Sequence, residues 1–206
     1  VKLFLFKVNV MKYLLDIILL IFILPISIIV LPIISILILI LDSKPIIYSQ
    51  YRVGLNGKEF RLYKFRTMTE SSDESIHEDH YKNLSLNKNI HPSLSPDDPI
   101  RIENDDRITN IGSFLRKTSL DELPNIINVL FGQMSFVGPR PLVKYESDLY
   151  GEYLESRNSI KPGITGLAQI QGRLDLSLQE RLYWDLIYVE KKSFIYDLQI
   201  IIKTII

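Results

Sequence analysis

Cysteine is absent from the 206-residue chain, and its absence excludes several kinds of chemistry at once. Without a thiol the chain can form no disulfide, no zinc–thiolate site and no cysteine nucleophile. An excess of either charge sign is also lacking, because 24 basic residues balance 24 acidic ones. The length predicts one domain with a hydrophobic core rather than two full domains.

The balanced charge is distributed unevenly along the chain. Segment 70–106 carries ten acids and three bases, which leaves 21 bases and 14 acids for the rest of the protein. A basic body with an acidic segment is typical of proteins that bind an anionic substrate or an anionic membrane surface. Nucleic acid is not predicted as a partner, because the sequence contains no recognised nucleic-acid motif or basic helix.

An uncharged run of 25 residues, from Ile17 to Leu41, predicts insertion into a membrane. At about 1.5 Å per residue, a straight helix of this length would cover a hydrocarbon core roughly 30 Å thick. A cleaved secretory signal is the weaker interpretation, since the run is too long for one and no small-residue cleavage site follows it.

The flanks and the prolines of this run leave two topologies open. Basic residues lie on both sides of it, so both ends carry the charge that is typical of the cytoplasmic side. Pro25 and Pro32 lie inside the run, and each is expected to kink or break a helix. A helix that enters, bends at a proline and returns to the same face fits both observations. A kinked single span is the alternative.

A small β-hairpin is predicted after the apolar run, with strands around Ile46–Tyr51 and Phe60–Phe65. The connection Gly54–Gly57 contains Asn-Gly, which tolerates the positive φ angles of a tight turn. Lys64, at the end of the second strand, belongs to a candidate anion site. Segment 70–106 lacks apolar periodicity and predicts a long surface loop. All three histidines lie in this loop and are not expected to hold a metal: His77, His80 and His91.

Two adjacent acids, Asp121 and Glu122, have both a structural and a catalytic interpretation. Ser119-x-x-Glu122 has the form of a helix capping box, and Asp121 could itself be the N-cap. The catalytic interpretation depends on nearby bases, because Arg116 precedes the pair and Arg140 lies between two prolines. The guanidinium group is the preferred partner of phosphate oxygens.

Five motifs occur in order, and together they are far more specific than any one of them. They are YKFRTM (63–68), TSLDELPNIINVL (118–130), MSFVGPRPL (134–142), KPGITGLAQIQGR (161–173) and SFIYDLQIIIKT (193–204). In this order they resemble the bacterial sugar transferases, small monotopic phosphoglycosyltransferases that act on polyprenyl phosphate. The resemblance extends over nearly the whole chain.

This resemblance implies transfer of a sugar 1-phosphate from a UDP-sugar to undecaprenyl phosphate. Such a reaction is the first membrane step of capsule, O-antigen, exopolysaccharide or glycoprotein glycan synthesis. By resemblance, Asp121 is the nucleophile that forms a covalent phosphosugar intermediate and releases UMP, and Glu122 assists it. The same two carboxylates would hold Mg²⁺. The family's phosphate-binding residues correspond to Lys64, Arg116, Arg140 and Arg173.

The chain departs from the family pattern at the membrane break and beside one binding residue. The usual Ser-Pro is absent, and either Leu24-Pro25 or Leu31-Pro32 could take its place. Leu174 stands where the family has an asparagine after Arg173. This difference lies beside a binding residue, so it bears on the sugar preference rather than on the reaction. A proline-broken re-entrant helix is itself a family feature, so the resemblance favours the hairpin topology over the single span.

The sequence therefore predicts a mainly α protein with a small β-hairpin, of class α+β. Residues 1–43 are expected to form a re-entrant, proline-broken membrane helix, and residues 44–206 an interfacial catalytic domain. An amphipathic C-terminal helix is expected near the bilayer. We expect the catalytic domain on the cytoplasmic face of a bacterial inner membrane, in contact with its lipids. The sugar, the glycan pathway and the oligomeric state, including a homo-oligomer, stay open.

Two other functions are weighed against this prediction. A multi-span transferase or hydrolase of lipid-linked substrates would need further spanning segments, and the given sequence has no second uncharged run of about 20 residues. A non-catalytic, membrane-anchored interaction protein would use the acidic pair only as a helix cap. Release of UMP from a UDP-sugar would separate an enzyme from such a scaffold.

Overall fold

The computed structural model describes residues 2–42, 44–69, 105–172 and 175–205, with side chains from residue 10 to residue 204. Within these ranges the α-helices are Lys2–Leu41, Asn110–Lys117, Ile126–Leu130, Lys144–Asp148, Tyr153–Arg157, Leu167–Gln171, Leu178–Lys191 and Phe194–Ile205. Two 3₁₀ helices are Leu55–Gly57 and Leu120–Asn125, and the strands are β1 (Ile47–Val53), β2 (Glu59–Phe65), β3 (Ser135–Val137) and β4 (Gly163–Thr165). The described part of the chain is mostly helical with a small antiparallel sheet, as predicted.

Some sequence predictions fall outside the described residues. These are the predictions for most of the acidic loop, residues 70–104, including its three histidines, and those for Arg173 and Leu174.

The predicted hairpin is present, with β1 and β2 paired antiparallel from Ile47 opposite Phe65 to Val53 opposite Glu59. Its connection includes a short 3₁₀ turn in which Asn56 and Gly57 have φ angles of 54° and 76°. These positive φ values are the reason that Asn-Gly occupies the turn. A second pair of strands, β3 and β4, is parallel and was not predicted.

The N-terminal segment forms one long helix that contains both prolines. Helical backbone continues from Lys2 to Leu41 with Pro25 and Pro32 inside it. Apolar packing explains this continuity, because the helix contacts the body both before and after the prolines. Leu19, Leu20, Ile23 and Leu24 pack against one apolar cluster, and Val30, Leu31, Ile34 and Ile38 belong to another. Burial therefore keeps this segment helical, although its prolines weaken the helix.

Much of this helix exposes apolar side chains on its outward side. Ile21, Phe22 and Ile40 are 64%, 69% and 73% exposed. Within the part of the chain that the structure describes, Val10–Leu41 is the one stretch long and apolar enough to cross a membrane. Exposed apolar surface of this size is typical of a segment whose surroundings are lipid.

Ion pairs attach the N-terminal helix to the body on both sides of the apolar run Ile17–Leu41. Lys12 Nζ lies 2.9 Å from Asp197 Oδ2 and donates to the main-chain oxygen of Val137 at 2.6 Å. At the other end, Asp42 Oδ2 lies 3.1 Å from the guanidinium of Arg66, which is 6% exposed. Arg66, which follows β2 directly, therefore has a structural partner in this ion pair.

Glycines in KPGITG allow two main-chain segments to approach closely. A β-carbon added to Gly163 would lie 2.0 Å from the nitrogen of Gly138, and one added to Gly166 would lie 2.1 Å from the oxygen of Gly138. Gly138 N in turn donates to the oxygen of Thr165 at 2.8 Å. This contact holds the Gly138-Pro139-Arg140-Pro141 loop (the arginine loop) against β4.

Candidate active site

The acidic pair lies in the 3₁₀ helix Leu120–Asn125 and does not cap an α-helix. Ser119, just before it, has a left-handed φ of 57°, and its side chain makes no capping hydrogen bond with any described residue. The following α-helix begins only at Ile126. The capping interpretation is therefore wrong, and the two carboxylates of Asp121 and Glu122 are available for other contacts.

Lys64 lies directly against these carboxylates. Its Nζ is 2.5 Å from Glu122 Oε1 and 3.8 Å from Asp121 Oδ2. Side chains alternate along a strand, so Lys64 shares the inward face of β2 with the buried Phe60 and Leu62. The alternation thus directs this lysine toward the acidic 3₁₀ helix.

Burial sets the charge balance at Asp121, which is 8% exposed. Desolvation raises the pKa of its carboxyl, the positive charge of Lys64 lowers it, and the negative charge of Glu122 raises it again. Arg116 and Arg140 add smaller lowering effects, and the net pKa lies above that of an ordinary aspartate. The neighbouring cations are therefore what keeps this buried carboxyl ionisable.

Arg116 faces the same region from the helix Asn110–Lys117. Its Nε donates to Thr67 Oγ1 at 2.8 Å, and burial lowers the pKa of its guanidinium while the charge of Asp121 raises it. Gly112 permits this approach, because a β-carbon there would lie 2.2 Å from the oxygen of Thr67. The helix therefore brings a partly desolvated cation to the edge of the acidic pair.

Arg140 extends from the arginine loop toward Glu122, with NH1 3.7 Å from Glu122 Oε1. Two other arginines hold the main chain of this loop. Arg157 NH2 donates to the oxygen of Arg140 at 2.6 Å, and Arg52 NH1 donates to the oxygen of Pro141 at 3.3 Å. Sequence reasoning did not find these two residues, because neither lies in a motif and both act over long sequence separations.

A cleft at this place combines cations, one acid and two amides. Its polar lining consists of Arg52, Lys64, Glu122, Asn125, Arg140 and Gln169. Convergent cations of this kind can bind phosphate oxygens through charge-assisted hydrogen bonds. An adjacent carboxylate can act as a nucleophile without a general base, since it is ionised near neutral pH. The cleft is therefore suited to chemistry at a phosphoryl group.

The two carboxylates fit a Mg²⁺ ion that is shared with a substrate. Mg²⁺ is commonly bound by one or two carboxylates together with phosphate oxygens and water. Across residues 10–42, 44–69, 105–172 and 175–204, no cluster of three acidic or histidine side chains forms a metal site from the protein alone. Phosphate oxygens and water would therefore have to complete the coordination of a Mg²⁺ ion held by Asp121 and Glu122.

The structure brings five of the six predicted site residues into one region, and Arg173 lies outside the described residues. It adds the amides of Asn125 and Gln169, which sequence reasoning missed. Asn125 does have a local signal, because in a 3₁₀ helix it lies on the same face as the residue three positions before it.

The family model described as bacterial sugar transferase matches residues 7–206. An undecaprenyl-phosphate galactose phosphotransferase from Salmonella typhimurium is 44% identical over 163 residues, which cover 79% of this chain and 33% of the relative. The exopolysaccharide production protein ExoY from Sinorhizobium fredii is 41% identical over 164 residues, covering 80% of this chain and 70% of the relative.

The name of a third relative includes a nucleotide sugar. The UDP-glucose:undecaprenyl-phosphate glucose-1-phosphate transferase from Klebsiella pneumoniae is 39% identical over 171 residues, covering 78% of this chain and 32% of the relative. The chain thus spans about a third of the length of the galactose and glucose-1-phosphate enzymes, and 70% of ExoY.

Proposed function

The chain belongs to the bacterial sugar transferase family, and we propose that it transfers a sugar 1-phosphate from a UDP-sugar to undecaprenyl phosphate. The observation that carries this proposal is the pair Asp121 and Glu122, which lies against Lys64. Glu122 also lies near Arg140 and lines the cleft with it and with Lys64. Two relatives name undecaprenyl phosphate as the acceptor, and one of them names UDP-glucose as the donor. Their names support the same substrate classes for this chain.

In the first step, a carboxylate oxygen of Asp121 attacks the phosphorus that carries the sugar. The bond from this phosphorus to UMP breaks, and UMP leaves with the bonding electron pair. Asp121 then carries the sugar phosphate as an acyl phosphate. In the second step, a phosphate oxygen of the lipid attacks the same phosphorus, the bond to Asp121 breaks, and the carboxylate is restored. Two displacements allow a soluble donor and a membrane-bound acceptor to use the cleft in turn.

Repulsion between the carboxylate and the diphosphate is the main obstacle to the first step. Lys64 contacts both acids and also lines the cleft, and Arg140 and Arg116 approach from other elements. Positive groups fixed in a partly buried site stabilise charge that develops on a transferring phosphoryl group. We assign phosphate binding to these three residues, and to Arg173 by resemblance alone.

Mg²⁺ belongs to the proposal as an ion held by Asp121 and Glu122 together with substrate phosphate. When bound, it would supply positive charge that neutralises phosphate oxygens. The chain's own residues would orient the donor and keep Asp121 directed at the phosphorus.

We further propose that the protein is monotopic, with residues 1–43 inserted in the membrane and residues 44–206 on its cytoplasmic face. Lys12 pairs with Asp197, and Asp42 pairs with Arg66, so both flanks of the apolar run Ile17–Leu41 are attached to one body. A helix that crossed a bilayer would have its ends on opposite faces, about 30 Å apart. A body on one face could not contact both ends, and this supports a helix that stays on one side.

UMP release tests the reaction directly. Detergent-solubilised protein with undecaprenyl phosphate and Mg²⁺ is expected to release UMP from at least one UDP-sugar. Asp121→Asn is expected to abolish release, because an amide cannot serve as the nucleophile. Asp148→Asn is the matched control, since Asp148 is exposed and pairs only locally with Lys144. Full activity of Asp121→Asn would overturn the assignment of the nucleophile.

The covalent step has its own test. Wild-type protein incubated with donor and without lipid acceptor is expected to gain the mass of one sugar phosphate, located on the peptide that contains Asp121. Glu122→Gln is expected to lower turnover by about 10²–10³-fold, the range typical of electrostatic helpers. UMP release that strictly requires both substrates together, without any protein adduct, would favour direct transfer instead.

A further inference from the structure

Two buried amides line the same cleft without a partner. Asn125 is 1% exposed, and its Oδ1 has no hydrogen-bond partner among the described residues. Gln169 Oε1 is likewise buried and unpartnered within the described ranges. Buried polar atoms in native proteins are nearly always satisfied, so an unpartnered one in a cleft points to a bonding partner supplied by a ligand.

The positions of the two amides place them on different walls of the site. Asn125 is three residues after Glu122 in a 3₁₀ helix, where side chains at i and i+3 share a face. Gln169 comes from the helix Leu167–Gln171, and its Oε1 lies over Gly166, where an added β-carbon would come within 2.8 Å. A glycine at 166 therefore leaves room for this amide beside the arginine loop.

Charge separates the roles of the groups in the cleft. Lys64, Arg52 and Arg140 are cations suited to phosphate oxygens, whereas the two amides are neutral and their unpartnered oxygens are acceptors. A neutral buried acceptor is best satisfied by a hydroxyl or N–H donor. The transferred hexose presents more hydroxyl donors than the ribose of the nucleoside, and a uracil ring presents one N–H. The transferred hexose is therefore the part of a nucleotide sugar that best matches two separate acceptors.

We propose that Asn125 and Gln169 bind hydroxyl groups of the donor sugar and thereby determine which UDP-sugar the enzyme prefers. This inference rests on the proposed function. A site built to hydrogen-bond a hydroxyl discriminates strongly against a donor that lacks it or presents it differently, because its polar atoms then stay unpaired.

The test begins with wild-type protein and three donors that differ in hydroxyl orientation or substitution: UDP-glucose, UDP-galactose and UDP-N-acetylglucosamine. Asn125→Leu and Gln169→Leu are then compared with wild type by kcat/KM for each donor. Gln171→Leu is the matched control, because Gln171 lies on the same helix as Gln169 and is exposed. Each cleft variant is expected to lose about tenfold or more on the preferred donor. The ratio of kcat/KM for the preferred donor to kcat/KM for a poor donor is expected to fall.

Two further readouts separate sugar recognition from other roles. Inhibition by UMP is expected to be unchanged in both variants, since UMP lacks the transferred hexose, and Asn125→Gln is expected to recover part of the discrimination between donors. A loss of UMP affinity equal to the loss in kcat/KM would assign the amides to the nucleoside and overturn the inference. An equal loss for all donors with a lowered Tm would indicate a purely structural role and also overturn it.

The inference and the proposed function fail in different ways. If wild-type protein transfers sugar phosphate but the variants keep its donor ratios, only the assignment of Asn125 and Gln169 is wrong. If wild-type protein releases no UMP from any UDP-sugar, the proposed function is wrong and this inference falls with it.

Discussion

Arg157 donates a 2.6 Å hydrogen bond to the main-chain oxygen of Arg140, so one arginine fixes the backbone of another that faces the reacting groups. Arg157 also binds Asp185, with Nε 2.8 Å from Oδ2, and both side chains are nearly fully buried. Burial raises the pKa of Asp185, and Arg157 opposes this effect. The buried ion pair thus connects the long helix Leu178–Lys191 to the arginine loop.

Removal of this connection should affect stability and substrate binding separately. Arg157→Leu leaves the carboxylate of Asp185 buried without its partner, so we expect a loss of about 3–5 kcal/mol in the free energy of unfolding. The double variant Arg157→Leu/Asp185→Leu removes the unpaired charge and should recover much of that loss. It should still have a raised KM for the UDP-sugar, because Arg140 has lost its main-chain partner.

Chemical denaturation measures the stability of these variants, and UMP release measures KM. A double variant with wild-type stability and wild-type KM would show that Arg157 does not position Arg140.

The pH dependence of activity should follow the ionisation of Asp121. Its pKa lies above the ordinary value of an aspartate because burial disfavours the charge, and only the ionised form can attack phosphorus. We therefore expect kcat/KM to fall as the pH decreases through this raised pKa. Lys64 is the largest influence that lowers this pKa, so Lys64→Met should move the acidic limb of the profile to higher pH. An unchanged limb in Lys64→Met would contradict the assignment.

The contribution of Asp121 to the stability of the fold should also depend on pH. A carboxyl whose folded-state pKa is raised stabilises the fold below its unfolded pKa, and this contribution is lost as the pH rises through the folded pKa. At neutral pH, Asp121→Asn should therefore unfold at a higher temperature than wild type while having no activity. The difference in Tm should shrink as the pH is lowered through the raised pKa. A lower Tm for the asparagine variant at neutral pH would mean that Asp121 stabilises the fold.

A variant of Arg116 tests whether the cations around Asp121 are needed for activity. Arg116→Ala removes a partly buried charge near Asp121 and should strongly reduce kcat/KM for the UDP-sugar. Arg61→Ala is the matched control, because Arg61 is exposed on β2 and donates to Ser49. By resemblance, Arg173→Ala should have an effect similar to that of Arg116→Ala. Equal activities of the Arg116 and Arg61 variants would remove Arg116 from the site.

The topology can be measured with single cysteines, since the chain contains none of its own. Val10 is exposed near the start of the N-terminal helix, and Glu59 is exposed on the hairpin of the body. Each can be replaced singly by cysteine. Both should be protected from a membrane-impermeant thiol reagent in intact spheroplasts, and both should react after permeabilisation. Labelling of position 10 alone in intact cells would mean that the helix crosses the membrane.

Local patterns in the sequence were sufficient to predict the hairpin, the long apolar helix and the grouping of five candidate residues in one region. Asn56-Gly57 predicts a turn because its φ requirement is a property of two adjacent residues. The uncharged run from Ile17 to Leu41 predicts insertion because the total apolar surface of one helix is enough for it. The family motifs placed five residues of the site in one region, as the structure describes them.

Tertiary structure alone decided what the acidic pair contacts and how the prolines are tolerated. The local pattern Ser119-x-x-Glu122 favoured a cap, but Glu122 contacts Lys64, which is 58 positions away in the chain. Pro25 and Pro32 weaken a helix in isolation, but packing against the body on both sides of them keeps the segment helical. Such outcomes depend on burial between segments distant in sequence, which no local pattern encodes.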